Sequence, residues 1–267
     1  MKKWIAGLML VFSVVLFSIS LYFLMGMFRQ DCDEQQAYEE LREIYENPKP
    51  DVLPDRQEEG ETLNETVAVV DAGLLALHEK NPDCVGWLRI EGTVIDYPVM
   101  YRPQEKNYYL RRDFGGAYAV RGSLFLSEVC DPESSDNLII YGHHMNSGTM
   151  FAALDNYKDG EFYKEHPKIH YSTLHGDEVY QVIAVFATPV YTDNDFEYYN
   201  FVKAETEKEY QDFVSACKAK SIYETGYSAV YGDRLMTLST CEYSQRNGRM
   251  VVVAKRIEEQ GVAAWQE

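Results

Sequence analysis

The sequence predicts a mainly β fold, an eight-stranded barrel with added helices, and three observations lead there. Eight short runs rich in β-branched and aromatic residues follow one another between residues 85 and 255, separated by Gly, Pro, Asp or Asn. Helical spacing of apolar residues is confined to segments ahead of these runs and to one segment between the late ones. No internal repeat interrupts the series, so the natural solution is a closed or nearly closed barrel.

The elements follow in order from the N-terminus. Met1, Lys2 and Lys3 precede an uncharged stretch, residues 4–28, long enough as a helix to cross a bilayer core of about 30 Å. A cleavable signal peptide would carry a shorter apolar region and a small-residue cleavage site; this stretch ends Met-Gly-Met-Phe-Arg-Gln, which favours an uncleaved anchor. Two lysines before the span and an acid-rich segment after it keep residues 1–3 in the cytoplasm and export the rest. The C-terminal Ala-Ala-Trp-Gln-Glu offers no second span.

Residues 29–66 read as an acidic stalk and linker. Residues 31–65 hold thirteen acidic side chains against three basic ones, a net of −10, and self-repulsion favours a solvated helix over a packed core. Within the stalk, residues 33–47 place Ala37, Leu41, Ile44 and Tyr45 on one helical face; Pro48, Pro50 and Pro54 then break the helix into an extended linker. A catalytic or binding domain over residues 67–260 begins with a second helix, 67–80, carrying Val70, Leu74, Leu75 and Leu77 and stopped by Asn81-Pro82. The strands are expected at 85–90, 94–100, 123–127, 137–141, 169–172, 178–187, 234–240 and 250–255. Between the sixth and seventh, residues 205–221 put Tyr210, Phe213, Val214 and Cys217 at helical spacing. Residues 261–267 form a tail.

Composition excludes some functions. A formal net charge of −18 on 267 residues, without a cluster of Lys and Arg interleaved with aromatics, argues against nucleic acid as a partner. Five cysteines, at 32, 84, 130, 217 and 241, make an odd number with no Cys-x-x-Cys pair, which argues against a disulfide framework and a structural zinc site.

Three positions could carry chemistry. Cys241 ends an alternating run, Met236-Thr-Leu-Ser-Thr, beside a break in the pattern; a thiolate at a strand end can act as a nucleophile, although buried inert cysteines are the commoner case. His143 and His144 follow the apolar strand Leu138-Ile139-Ile140, where an imidazole can move protons near neutral pH. In extended chain these neighbours point to opposite faces, which argues against a shared metal. Arg249 follows the turn dipeptide Asn247-Gly248 and starts a strand that would return beside Cys241, where a guanidinium could stabilise an oxyanion; an ordinary surface arginine fits the spacing as well.

The combination of Thr-Leu-Ser-Thr-Cys-Glu-Tyr-Ser (237–244), Gly-Arg-Met-Val-Val-Val-Ala-Lys (248–255) and Tyr-Gly-His-His-Met (141–145) closely resembles class B sortases. The likeness runs from about residue 87 to 257 and takes in Gly-Thr-Val-Ile-Asp-Tyr-Pro-Val (92–99), Arg-Gly-Ser-Leu-Phe (121–125) and Gly-Thr-Met-Phe (148–151). It implies a sortase-like barrel and a membrane-anchored cysteine transpeptidase. Cys241 would be the nucleophile, His143 rather than His144 the catalytic imidazole and Arg249 the third member. Tyr141 and Ser239 would flank the substrate groove, with Met100 a looser match. The partners implied are a secreted protein with a C-terminal sorting signal, cleaved after Thr through a thioester, and a peptidoglycan precursor or cross-bridge amine. No cofactor is implied, and a calcium site of the kind some relatives use stays open.

Two rival readings remain at this point. An exported cysteine peptidase or peptidoglycan L,D-transpeptidase would also pair Cys with His, but the latter expects its His within a few residues of Cys, and here the nearest upstream one is His175. A non-enzymatic exported β-domain, binding a wall or surface ligand through some of its twenty-one tyrosines, leaves the Cys241, His143 and Arg249 motifs unexplained.

Overall fold

The computed structural model describes residues 2–48, 71–190, 196–242 and 247–258, with Cys241 and Glu242 entering by their backbone. It divides into two compact units, Met1–Leu41 and Arg42–Glu267.

Helix α1 covers Lys2–Glu46 without a break. Separate anchor and stalk helices were expected, but residues 27–47 contain neither Gly nor Pro, and nothing there stops the helix from continuing. Within its first unit, Met9–Gly26 has a mean hydropathy of 2.2 and none of it is buried. Its acidic part carries i,i+4 amide–carboxylate pairs, Gln35 with Glu39 at 3.0 Å and Gln36 with Glu40 at 3.2 Å.

The second unit begins with the end of α1. Tyr45 stacks on Trp87 with ring centroids 4.2 Å apart and planes 4° from parallel, and its hydroxyl lies 2.8 Å from Ser172 Oγ. Arg42 pairs with Asp96 at 2.9 Å, and Asp96 also accepts from Trp87 Nε1 at 2.6 Å. Helix α2, Ala72–Lys80, starts later than expected because Asp71 caps it, accepting from Gly73 N at 2.8 Å and Leu74 N at 3.0 Å. The rest of the expected helix, residues 67–70, the linker beyond Pro48 and the tail 261–267 lie outside the described residues. Gly73 is needed for the packing: a Cβ there would stand 1.8 Å from Tyr45 O.

All eight expected strands are present: β1 Cys84–Arg89, β2 Asp96–Met100, β3 Leu124–Leu126, β4 Asn137–Tyr141, β5 Lys168–Thr173, β6 Gly176–Pro189, β7 Leu235–Glu242 and β8 Gly248–Ile257. They close into a barrel in the order β1-β2-β3-β4-β7-β8-β6-β5, antiparallel except for β2/β3 and β4/β7. Parallel neighbours need long crossovers. The β2–β3 connection holds a 3₁₀ turn, Tyr108–Arg111; the β4–β5 connection holds a 3₁₀ segment, Phe151–Lys158, and helix α3, Gly160–Glu165. Strand periodicity does not reveal such short segments.

Helix α4, Glu207–Lys220, is the expected late insertion. Thr206 caps its first turn, Glu207 and Glu209 sit at the positive end of its dipole and Lys218 and Lys220 at the negative end. Tyr210, Phe213, Val214 and Cys217 form its buried face against Ile183 and Phe186 of β6. Met100, by contrast, is fully buried beside Val99, opposite Phe125 of β3.

Candidate active site

Strand register assembles the site at one end of the barrel. Because β4 and β7 run parallel, Tyr141 lies opposite Ser239, and the residues after both strands emerge side by side. Strand β8 starts at the same end and runs antiparallel to β7, which sets Cys241 opposite Arg249. Residues 243–246 of the intervening turn lie outside the described residues; Asn247, which closes it, has φ 54°, a left-handed conformation that Asn tolerates. By the two-residue period of a strand, position 241 shares the sheet face of Ser239.

A cleft of about 330 Å³ opens at this end. Tyr141, His143, Ser239, Thr240 and Arg249 line it, with Leu110 from the β2–β3 connection and Tyr198 and Tyr199 from the β6–β7 connection. Met100 is not among the lining residues. With no exposed surface in the barrel interior, it fills the core rather than a substrate groove.

The His143 backbone is held on both sides: Gly142 N donates to Ser239 O at 3.2 Å, and His143 O accepts from Phe151 N at 2.9 Å. Its imidazole Nε2 lies 2.6 Å from Leu110 O. A carbonyl can only accept, so Nε2 carries the hydrogen and Nδ1 is the nitrogen left to take up a proton. Burial pushes the His143 pKa below its ordinary value, the nearby Arg111 charge lowers it further, and the bond to Leu110 works in the opposite direction. The shift favours the uncharged imidazole, the form that can act as a base.

His144 turns away, as strand alternation requires. Its Nε2 lies 3.3 Å from Asp155 Oδ2, and it borders a separate pocket shared with Thr93 and Phe162. Arg249 is partly buried and donates from a guanidinium nitrogen to Gly248 O at 2.9 Å. Ser239 is 1% exposed, with its Oγ 2.7 Å from the Tyr198 hydroxyl. Tyr141 packs beside Phe125, ring centroids 5.6 Å apart.

The other cysteines differ in setting. Cys84, Cys130 and Cys217 are buried, and burial pushes the first two thiols up to about 12 and about 11 and raises the third as well, so none forms a thiolate near neutral pH. Cys32 is exposed on α1, in the other unit. Among the described residues no group of three or more His, Cys, Asp or Glu side chains is arranged to hold a metal ion.

Sequence reasoning missed Leu110 and Tyr198. Leu110 acts through a backbone carbonyl, which leaves no mark in sequence. Tyr198 sits in an aromatic-rich stretch, residues 196–201, that offered a signal without a role.

Comparison with known proteins agrees with this geometry. The family model described as the sortase domain matches residues 88–257, and the chain belongs to the sortase family. Sortase B of Staphylococcus aureus is 30% identical over 97% of this chain and 98% of its own length, and sortase B of Listeria monocytogenes is 34% identical over 80% and 88%. Among solved structures, a Staphylococcus aureus sortase B–substrate complex superposes with a TM-score of 0.71 at 30% identity, covering 86% of this chain and 99% of that one. A sortase B complexed with triglycine gives 0.71 at 30%, covering 85% and 99%. The likeness is to class B throughout, and it defines a cysteine transpeptidase that anchors proteins to the cell wall. The peptidase and binding-domain readings fall away.

Proposed function

We propose that Cys241, His143 and Arg249 form a single acyl-transfer centre that cleaves a C-terminal sorting signal after Thr and joins the new carboxyl end to a wall-peptide amine. The observation that carries this is the register that opposes Cys241 and Arg249 at the barrel end where His143 lines the cleft.

In the first half-reaction the Cys241 sulfur attacks the Thr carbonyl and Arg249 faces the oxyanion of the tetrahedral intermediate. The proton from the thiol passes through His143 to the departing amine, the C–N bond breaks and a thioester remains. In the second, an acceptor amine attacks the thioester, His143 takes its proton, an amide forms and the thiol is restored. A depressed His143 pKa suits this return step, because the base must be neutral to accept. Tyr141 flanks the groove. Ser239, whose hydroxyl is engaged by Tyr198, ties the β6–β7 connection to the strand that carries Cys241. The substrate and triglycine complexes of the related sortase B structures support a peptide donor and an amine acceptor.

Residues 4–28 serve as a single-pass anchor with residues 1–3 in the cytoplasm, residues 29–66 as the stalk, and residues 67–260 as the extracytoplasmic catalytic domain. The apolar, unburied Met9–Gly26 window of α1 supports this placement. It would keep the cleft close to the membrane from which exported proteins emerge.

The test is mass spectrometry of the full chain in neutral detergent, incubated with a set of sorting-signal peptides and an amine. The expected result is a peptide adduct on Cys241 that amines convert to ligated product and that Cys241→Ala lacks. A folded protein with an alkylatable Cys241 that forms no adduct with any peptide would overturn the assignment.

A further inference from the structure

The connection between β2 and β3 reverses the charge of the chain beside the cleft. In a protein of net charge −18, residues 102–121 contain Arg102, Lys106, Arg111, Arg112 and Arg121 against Glu105 and Asp113. Three of these cations are already engaged or inaccessible. Arg102 pairs with Asp83 at 3.2 Å and Glu105 at 2.9 Å, Lys106 pairs with Glu128 at 3.6 Å, and Arg121 is 2% exposed.

Arg111 and Arg112 differ. Both are exposed, and neither has a carboxylate partner among the described residues. Arg111 donates to Val120 O at 2.7 Å and Arg112 to Gly116 O at 3.0 Å, while the Arg112 guanidinium sits 4.5 Å from the Tyr108 ring centroid. Carbonyl bonds and ring stacking orient the two guanidiniums without neutralising them. Arg111 directly follows Leu110, whose carbonyl holds His143, and its charge acts on that imidazole; Arg112 is the next residue of the same connection.

We propose that Arg111 and Arg112 bind an oxyanion, phosphate or carboxylate, carried by the amine acceptor. This rests on the acyl-transfer reading above. The acceptor amine is the group whose proton His143 takes, so the acceptor must reach the cleft at His143, and the remainder of it extends over the adjoining rim. An acidic enzyme repels an anionic acceptor at long range, and the exposed guanidiniums of the connection that holds the base, Arg111 nearest to it, counter that repulsion. Guanidinium forks match phosphate and carboxylate oxygens in pairs, which gives orientation as well as attraction.

The experiment preforms the thioester on the full chain in neutral detergent and resolves it with three probes: triglycine amide, the same peptide extended by phosphoserine, and the same peptide extended by aspartate. The readout is the ratio of kcat/KM for each anionic probe to that for the neutral one, in which any loss of folded protein or change at His143 cancels. The wild type should prefer at least one anionic probe by about three- to tenfold at low salt, with the preference fading as salt screens it. The double variant Arg111→Gln, Arg112→Gln should bring the ratio to one or below, and the Lys, Lys double variant should retain part of it. A wild-type ratio of one, or a preference that survives loss of both guanidiniums, overturns the inference. A change confined to thioester formation would mean that the cations read the donor peptide, and overturns it too. If no thioester forms at all, the acyl-transfer reading itself fails; if it forms and neutral and anionic amines resolve it equally, only the acceptor site fails.

Discussion

Replacing Gly142 with Ala should damage stability and catalysis together, because this glycine lies between the barrel core and the catalytic imidazole. A Cβ at 142 would stand 2.4 Å from Leu124 Cδ2 and 2.7 Å from Phe151 Cδ2. Both neighbours are fully buried and cannot swing into solvent. Overpacking of this kind costs about 1–3 kcal/mol. For a domain of this size each kcal/mol lowers the melting temperature by about 2–4 °C, so a fall of about 2–12 °C is expected. Relief requires the backbone at 142 to move, and His143 moves with it; a displacement of about 1 Å at a catalytic group can cost on the order of a hundredfold in rate. Thermal melting and single-turnover thioester formation measure the two effects. Gly115→Ala is the control, since the nearest atom to its new Cβ would be 3.5 Å away. If Gly142→Ala melts like the control and acylates at the wild-type rate, the packing argument is refuted.

Three further outcomes follow from the same geometry. The rate of thioester resolution, expressed per free amine, should fall on an acid limb centred below 6.5, because burial keeps His143 neutral to lower pH, and Arg111→Gln should move that limb upward by removing a cation that disfavours the imidazolium; a limb at or above 6.5 that ignores Arg111 contradicts this. Tyr198→Phe takes the hydroxyl partner from buried Ser239 and should cost about 1–3 kcal/mol in urea unfolding, while adding Ser239→Ala should recover part of the loss; strictly additive losses would show that the two hydroxyls do not interact. Trp87→Ala should cost about 3–5 kcal/mol, because it removes a buried ring, its stack on Tyr45 and its bond to Asp96; a loss under about 1 kcal/mol would show that the end of α1 contributes nothing to the barrel.

Which features could be read in the sequence depends on the physics that writes them. The eight strands were legible because burial imposes alternation and β-branched composition on short runs. Their ends were less so: β6 was expected over 178–187 and spans Gly176–Pro189, because pairing with β5 at Gly176 and with β8 at Pro189 carries it past its buried stretch at both ends. Helix α4 was legible from one apolar face, whereas the continuity of α1 from Lys2 to Glu46 was not, since a change of polarity does not interrupt backbone hydrogen bonding. The 3₁₀ segments at Tyr108–Arg111 and Phe151–Lys158 are too short for any period to show. At the site, strand-end motifs led to His143, Arg249, Tyr141 and Ser239, and the structure lines one cleft with all four. Met100 failed because an apolar residue at the end of a strand reads alike whether it faces a groove or the barrel core. The Leu110 carbonyl was out of reach, being a backbone atom brought to His143 by the path of a loop.

The central claim is that Cys241, His143 and Arg249 act as one centre, and the most direct test is the single-turnover rate of thioester formation in His143→Ala, Arg249→Ala and the double variant, each confirmed as folded. Groups that act as a unit are lost as a unit. Each single change should slow acylation by on the order of a hundredfold or more, with the double variant little worse than the slower single one. Small losses, or losses that multiply as though the two side chains worked independently, would contradict the account.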